Sequence, residues 1–253
     1  MKGTGPVIKV LAANVAASLL LVLVAGCGGE GKQSTAADFA GSYRAGYTRG
    51  AGSILMQVGT SGAVRVSVID GSDSPTPIFY SGTGSTDATG FASITCTSPM
   101  RSGSLTLDGS FVAMGSLPPF FEGDLTSTPA GITVRGLTIG QTSVSTANPF
   151  VGTWQGSYLL TTPAKTQGTI TLTIESGGGV TGTLTDTDQG TVAVTGSVNS
   201  VGAMTFAGTS SKADISTFTG GFGFGPDGAK MGVGKWSSTA LPLGGSLSLT
   251  EAK

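Results

Sequence analysis

From residue 168 onward the chain alternates between aliphatic and threonine positions. Ile170, Leu172 and Ile174 share one face of an extended segment, and Thr169, Thr171 and Thr173 share the other. That period of two is the signature of a half-buried β-strand. The pattern recurs as Val180 and Leu184 against Thr181, Thr183 and Thr185, as Val192 and Val194 against Thr191 and Thr195, and as Met204 and Phe206 around Thr205. Gly, Asp and Asn turns separate these runs at roughly ten-residue intervals, as in an antiparallel meander. With residues 154–160, 217–224, 230–237 and 246–250 added, about eight strands are expected in this half.

The first half carries the same order. Phe39 to Tyr47 (FAGSYRAGY) corresponds to Phe150 to Tyr158 (FVGTWQGSY), Gly52-Ser53-Ile54-Leu55-Met56 to Gly168-Thr169-Ile170-Thr171-Leu172, and Val64 to Asp70 corresponds to Val180 to Asp186. Further on, Glu122-Gly123-Asp124-Leu125 falls opposite Val233-Gly234-Lys235-Trp236, and residues 132–137 opposite the last strand. The segment QTSVSTANP is polar and ends in Asn-Pro, a linker or sharp corner. The expected organisation is therefore a segment 1–26 to be removed, a tether 27–37, a first repeat 38–140, a linker 141–149 and a second repeat 150–253.

An all-β fold of two tandem antiparallel units is expected, each closed into a small barrel, with β-sandwiches as the alternative that the same alternation allows. Eight strands closed on themselves leave no edges, and their interior either fills with side chains or holds one small ligand. A membrane-spanning barrel would turn its apolar face outward and want strands of ~9–11 residues between two aromatic girdles; aromatics make up only 7% here.

Composition narrows the function. Glycine supplies 43 of 253 residues, and charged residues only 11% against a usual ~25%. Once Lys2 and Lys9 are removed, 11 basic residues face 14 acidic ones, a net charge near −3. So few cations cannot form the surface that nucleic acid requires. Histidine is absent, which removes the commonest general base and the commonest metal ligand.

The N-terminus has the layout of a secretory signal: Lys2 and Lys9, an apolar run from Val10 to Ala25, then Gly26 and Cys27. That run is shorter than the ~20 residues of a spanning helix. Leu23-Val24-Ala25-Gly26-Cys27 resembles the lipobox of bacterial lipoproteins. The resemblance implies that Cys27 becomes the first mature residue and carries the acyl chains, tethering the protein to the cell envelope through a membrane anchor. Gly28 stands where such sorting signals carry Asp, so the resemblance favours the outer membrane in a Gram-negative cell. Cys96, the second cysteine, follows Ile94 on one strand face and is expected as a small buried apolar residue.

Candidate chemistry is sparse. Gly223-Phe224-Gly225-Pro226-Asp227-Gly228 matches G-x-G-x-x-G, but a dinucleotide site needs that loop to open a helix, and a turn and strand are expected instead. Asp186 and Asp188 in one loop, with Asp70 and Asp73 in the equivalent one, read as turn formers that bond their own backbone; neither loop supplies a full calcium ligand set. Glu122 and Asp124 lie on one side of one strand and read as a solvated pair rather than the facing carboxylates of a glycosidase. No catalytic residues, metal or cofactor are expected, and the chain is read as a non-enzyme. Trp154, Tyr158, Phe222 and Trp236 are the candidate ligand-lining residues, with core packing as their simpler role.

Gly152-Thr153-Trp154 and GTITLTIESGGGVTGTL also resemble the opening strands of the avidin and lipocalin type of barrel (calycins). Gly156 and Leu184 stand where an avidin places its biotin-binding Asn and Tyr, so the resemblance implies a barrel and an unspecified ligand, not biotin. The functional expectation is a lipid-anchored binding or scaffold module of the envelope, with a small apolar ligand or an envelope protein as its partner. The alternative is a carrier or chaperone for a small apolar ligand held inside the barrels.

Overall fold

The computed structural model describes residues 35–47, 52–71, 77–129, 131–161, 164–186, 190–210, 215–225, 227–239 and 244–253. The signal-like segment, Cys27 and the tether up to residue 34 lie outside them, as do Asp73, Asp188 and Pro226.

A 3-10 turn, Ala36–Phe39, leads into eight strands: β1 Gly41–Tyr47, β2 Gly52–Val58, β3 Ala63–Asp70, β4 Ile78–Ser85, β5 Phe91–Thr97, β6 Ser104–Met114, β7 Leu117–Thr128 and β8 Thr133–Ser143. Eight more follow: β9 Gly152–Thr161, β10 Ala164–Ile174, β11 Gly179–Asp186, β12 Gly190–Val198, β13 Ala203–Thr209, β14 Ile215–Phe224, β15 Lys230–Ser238 and β16 Gly244–Glu251. In each set every strand pairs antiparallel with its successor and the last pairs with the first, so both halves are closed barrels rather than sandwiches. β8 takes up Gln141, Thr142 and Ser143, so barrel 1 reaches three residues into the expected linker. Gln141 pairs with Tyr43 of β1 and helps to close the ring.

The alternation works as expected. Ile170, Leu172 and Ile174 are buried and Thr171 and Thr173 exposed, so the aliphatic sides turn inward and the threonines face outward. Cys96 is fully buried in the core of barrel 1 beside Ile94, and burial pushes its thiol up to about 12.

The duplication extends to the closure of one end. In barrel 1 Tyr43 donates its hydroxyl to the Phe39 carbonyl at 2.6 Å; in barrel 2 Trp154 donates its indole N–H to the Phe150 carbonyl at 2.9 Å. Phe39 stacks on Phe111 at 5.4 Å, and Phe150 meets Phe222 at 5.8 Å. Beneath each stack a tight turn needs glycine. Gly90 (φ 87°) and Gly202 (φ 91°) donate to Asp87 and Asn199 and accept from the N–H of Phe111 and Phe222. A side chain would be strained there by the positive φ, and a Cβ on Gly202 would lie 2.8 Å from the Phe150 ring.

β2 departs from alternation, since all seven residues are buried. Ile54, Met56 and Val58 face the interior of barrel 1. Its outer face is covered by the other half: Ser53 donates to the Phe224 carbonyl, Leu55 joins the core of barrel 2, and Gln57 lies 3.4 Å from the carbonyl of Ala147 in the connecting segment. Ile69 and Phe79 continue this contact against Val233. The glycine-rich end of β14 makes room for it, because a Cβ on Gly221 would run into the Phe79 ring and one on Gly223 into Ile69. Arg44 caps the junction with its guanidinium 3.9 Å from the centre of the Phe224 ring. The G-x-G-x-x-G match is thus part of the barrel junction and of the β14–β15 hairpin, in which Gly225 donates to the Ala229 carbonyl.

Candidate functional site

In both barrels the end opposite the aromatic plug holds a tyrosine and an aspartate. β1 and β3 of barrel 1 both run antiparallel to the β2 between them and so point the same way, which brings the last residue of each, Tyr47 and Asp70, to the same rim. Tyr47 donates to Asp70 Oδ1 at 3.1 Å, and both are buried. In barrel 2 the equivalent strands bring Tyr158 to Asp186, where the phenol donates to Oδ2. Gln167 adds its amide at 3.3–3.4 Å from the two carboxylate oxygens. Each tyrosine ring lies over the glycine that opens the following strand or its ladder: a Cβ on Gly52 would collide with the Tyr47 ring, and one on Gly168 would sit 2.7 Å from Tyr158.

This corrects the reading of Asp70 and Asp186 as turn formers that bond their own backbone. They end strands, face inward and satisfy phenols, at 1% and 9% exposure. An isolated carboxylate at that depth would be costly, which is why each has hydrogen-bonding partners.

The two rims differ in what surrounds the pair. In barrel 1 Arg101 reaches over from the β5–β6 connection, with Nη2 3.8 Å from Asp70 Oδ2. Its Nε donates to the Tyr80 hydroxyl at 2.6 Å. Beside them lies a cavity of about 220 Å³, whose wall includes Tyr80, Arg101, Ser102, Ser104, Ser127 and Thr128. In barrel 2 the corresponding space carries indole: Trp236 packs against Tyr158 at 5.2 Å and donates to the Leu159 carbonyl at 2.9 Å.

Burial first, and then the charge of Asp70, raise the Tyr47 hydroxyl far above its ordinary range. A phenol so held keeps its proton, so Tyr47 serves as a hydrogen-bond donor and is poorly suited to act as a nucleophile. Arg101 supplies positive charge at the cavity wall while Asp70 offsets part of it.

The sequence-derived candidates fall elsewhere. Trp154 and Phe222 sit in the plug of barrel 2, 4.4 Å apart, whereas Tyr158 and Trp236 sit at the opposite rim; the four are buried in one core but are not gathered around one point. Glu122 and Asp124 are exposed on β7, and Asp124 accepts the N–H of Gly136 at 2.9 Å. Among the described residues no three His, Cys, Asp or Glu side chains gather as a metal ion would need. Sequence reading passed over Arg101, Tyr80 and Gln167. The available signal was the equal order of Tyr47 and Asp70 with Tyr158 and Asp186, since both halves keep both residues.

No family model matches the sequence, and no curated protein matches it. Among solved structures the chain is similar to a protein of unknown function from the DUF3598 family of Nostoc punctiforme, at 12% identity and a TM-score of 0.24, over 87% of this chain and 99% of that one.

Proposed function

We propose that this chain is a lipid-anchored protein of the bacterial envelope that binds rather than catalyses, and that the polar rim of barrel 1 is its binding site. The observation that carries the site is Arg101 beside the buried Tyr47–Asp70 pair, on the wall of a cavity of about 220 Å³ with serine and threonine around it. A guanidinium flanked by hydroxyls suits a small ligand with an acidic group, and that volume lies just under the usual range of ~300–1,000 Å³. The two closed barrels are in keeping with the calycin-like resemblance and its unspecified ligand. A carrier of apolar molecules draws less support, because Trp154, Phe222, Tyr158 and Trp236 pack on one another.

The anchor reading rests on the lipobox ending at Cys27. Two or three acyl chains at ~0.8 kcal/mol per buried methylene hold a protein on a bilayer durably. Metabolic labelling with a palmitate analogue is expected to mark the wild type and to spare Cys27→Ala; equal labelling of both removes the anchor. For the site, a panel of small hydroxy-carboxylates screened by thermal shift is expected to stabilise the wild type. The best of them should lose tenfold or more in affinity on Arg101→Ala, since a hydrogen bond to a charged group contributes ~1.5–3 kcal/mol. Undiminished affinity in that variant would move the site elsewhere.

A further inference from the structure

β6, β7 and β8 are the long strands of barrel 1, at 11, 12 and 11 residues against 7 or 8 for β1 to β5. β5 pairs with β6 only as far as Phe91 with Ser110, and β8 meets β7 only from Phe120 with Gly140. Beyond Phe111 and Phe120 the two strands therefore have only each other as ladder partners, with Val112 opposite Phe120 and Met114 opposite Leu117, as a ribbon that runs past the barrel rim. At ~3.3 Å per residue, the three residues beyond Phe111 project about 10 Å.

The ribbon is apolar and exposed. Met114 is 49% exposed and Leu117 63%, and Phe91, at the foot of the ribbon, is 49% exposed. From Gly109 to Phe121 no residue carries a charge. Contiguous apolar surface of this kind marks a contact with something. Barrel 2 is not that contact, since it covers the outer face of β2 to β4, across the ring from β6 and β7.

Two observations single out the occupant. First, the ribbon leaves the barrel at the rim where the chain comes in: Phe39, four residues after Thr35, stacks on Phe111 at the base of the ribbon. The eight residues from Cys27 to Thr35 span at most about 28 Å, so a bilayer holding Cys27 lies within reach of that rim. Second, Pro118 and Pro119 lack the N–H groups that another chain's strand would need in order to add to the ribbon. We infer that the tip of the β6–β7 ribbon, through Met114 and Leu117, dips into the boundary between headgroups and acyl chains of the membrane that holds the anchor. This rests on the anchor reading for its geometry, although the apolar tip would prefer a lipid surface without it. A projection of ~10 Å fits the ~5–10 Å depth to which interfacial segments sink.

The test uses the full chain, processed, acylated and reconstituted into vesicles of phosphatidylethanolamine and phosphatidylglycerol. Leu117→Cys carries an environment-sensitive nitrobenzoxadiazole label, with Thr126→Cys as the exposed control on the same strand; Cys96 is buried and takes no label. The expected result is a blue shift and a several-fold intensity gain at position 117, quenched by spin-labelled lipid, with a water-like signal at 126. A Met114→Asp substitution beside the label should abolish the shift while the protein still floats with the vesicles. A water-like label at 117 in floating protein overturns the inference. So does a blue shift that persists without lipid, which would assign the tip to a second copy of the chain. If wild-type protein fails to float, the anchor reading falls on its own; label emission on addition of excess vesicles then decides the ribbon.

Discussion

Trp154→Ala is expected to lower the unfolding free energy of barrel 2 by about 3–5 kcal/mol, the range for removing a large buried aromatic. Trp154 is fully buried, its ring lies 4.4 Å from Phe222 and 6.4 Å from Phe150, and its N–H occupies the Phe150 carbonyl. The truncation opens a void in the plug and leaves that carbonyl without its indole donor. Trp154→Phe should restore most of the packing and lose mainly the hydrogen bond, about 1 kcal/mol. Urea unfolding followed by the remaining Trp236 fluorescence reads both, since Trp236 belongs to the same core. A loss below ~1 kcal/mol for Trp154→Ala would mean that the plug does not hold this end of the barrel.

Alkaline solution is expected to unfold barrel 1 steeply. Burial raises Tyr43, Tyr47 and Cys96 above their ordinary values of 10.0, 10.0 and 9.0, and in Tyr47 the charge of Asp70 adds to it. The unfolded chain releases these protons at the ordinary values while the folded barrel retains them. Above pH 9 the folded state therefore binds more protons than the unfolded state, and stability falls as pH rises. Each group contributes a slope of about 1.4 kcal/mol per pH unit between its two values. The decline begins with Cys96 and steepens to about 4 kcal/mol per pH unit once both tyrosines are included. Below pH 9 all three are protonated in either state and contribute no slope. Urea midpoints measured from about pH 8 to about pH 11 should trace this bend, and Cys96→Val should remove its first part. A flat profile would mean that these protons leave the folded barrel as readily as the unfolded chain.

The alternation of the second half was enough to place its strands, because Thr outside and Val, Ile and Leu inside is what a closed sheet of this size needs. The first half repeats the strand order but not the clean pattern. Leu55 stands where Thr171 stands in the copy, and Ile69 where Thr185 stands. These apolar residues on a face that should be polar were the visible trace of the barrel junction, since they are buried against the other half. Asp70 and Asp186 were misread because a strand end and a turn look alike in a linear pattern, and only the rim geometry brings each carboxylate under a tyrosine. Arg101 could not be placed at all: its partners lie 21 and 31 positions earlier in the chain. The ribbon tip escaped notice for a simpler reason. Met114, Leu117 and Phe120 look like core until the ladder shows that the neighbouring strands have already ended.

The seating of Phe39 under Phe111 has a mechanical consequence. A pull arriving at Thr35 from the N-terminal side meets this wedge first, and then β1, which is laced to β2 on one flank and to β8 on the other. Because those bonds lie across the line of pull, they are loaded together in shear rather than opened one at a time like a zip.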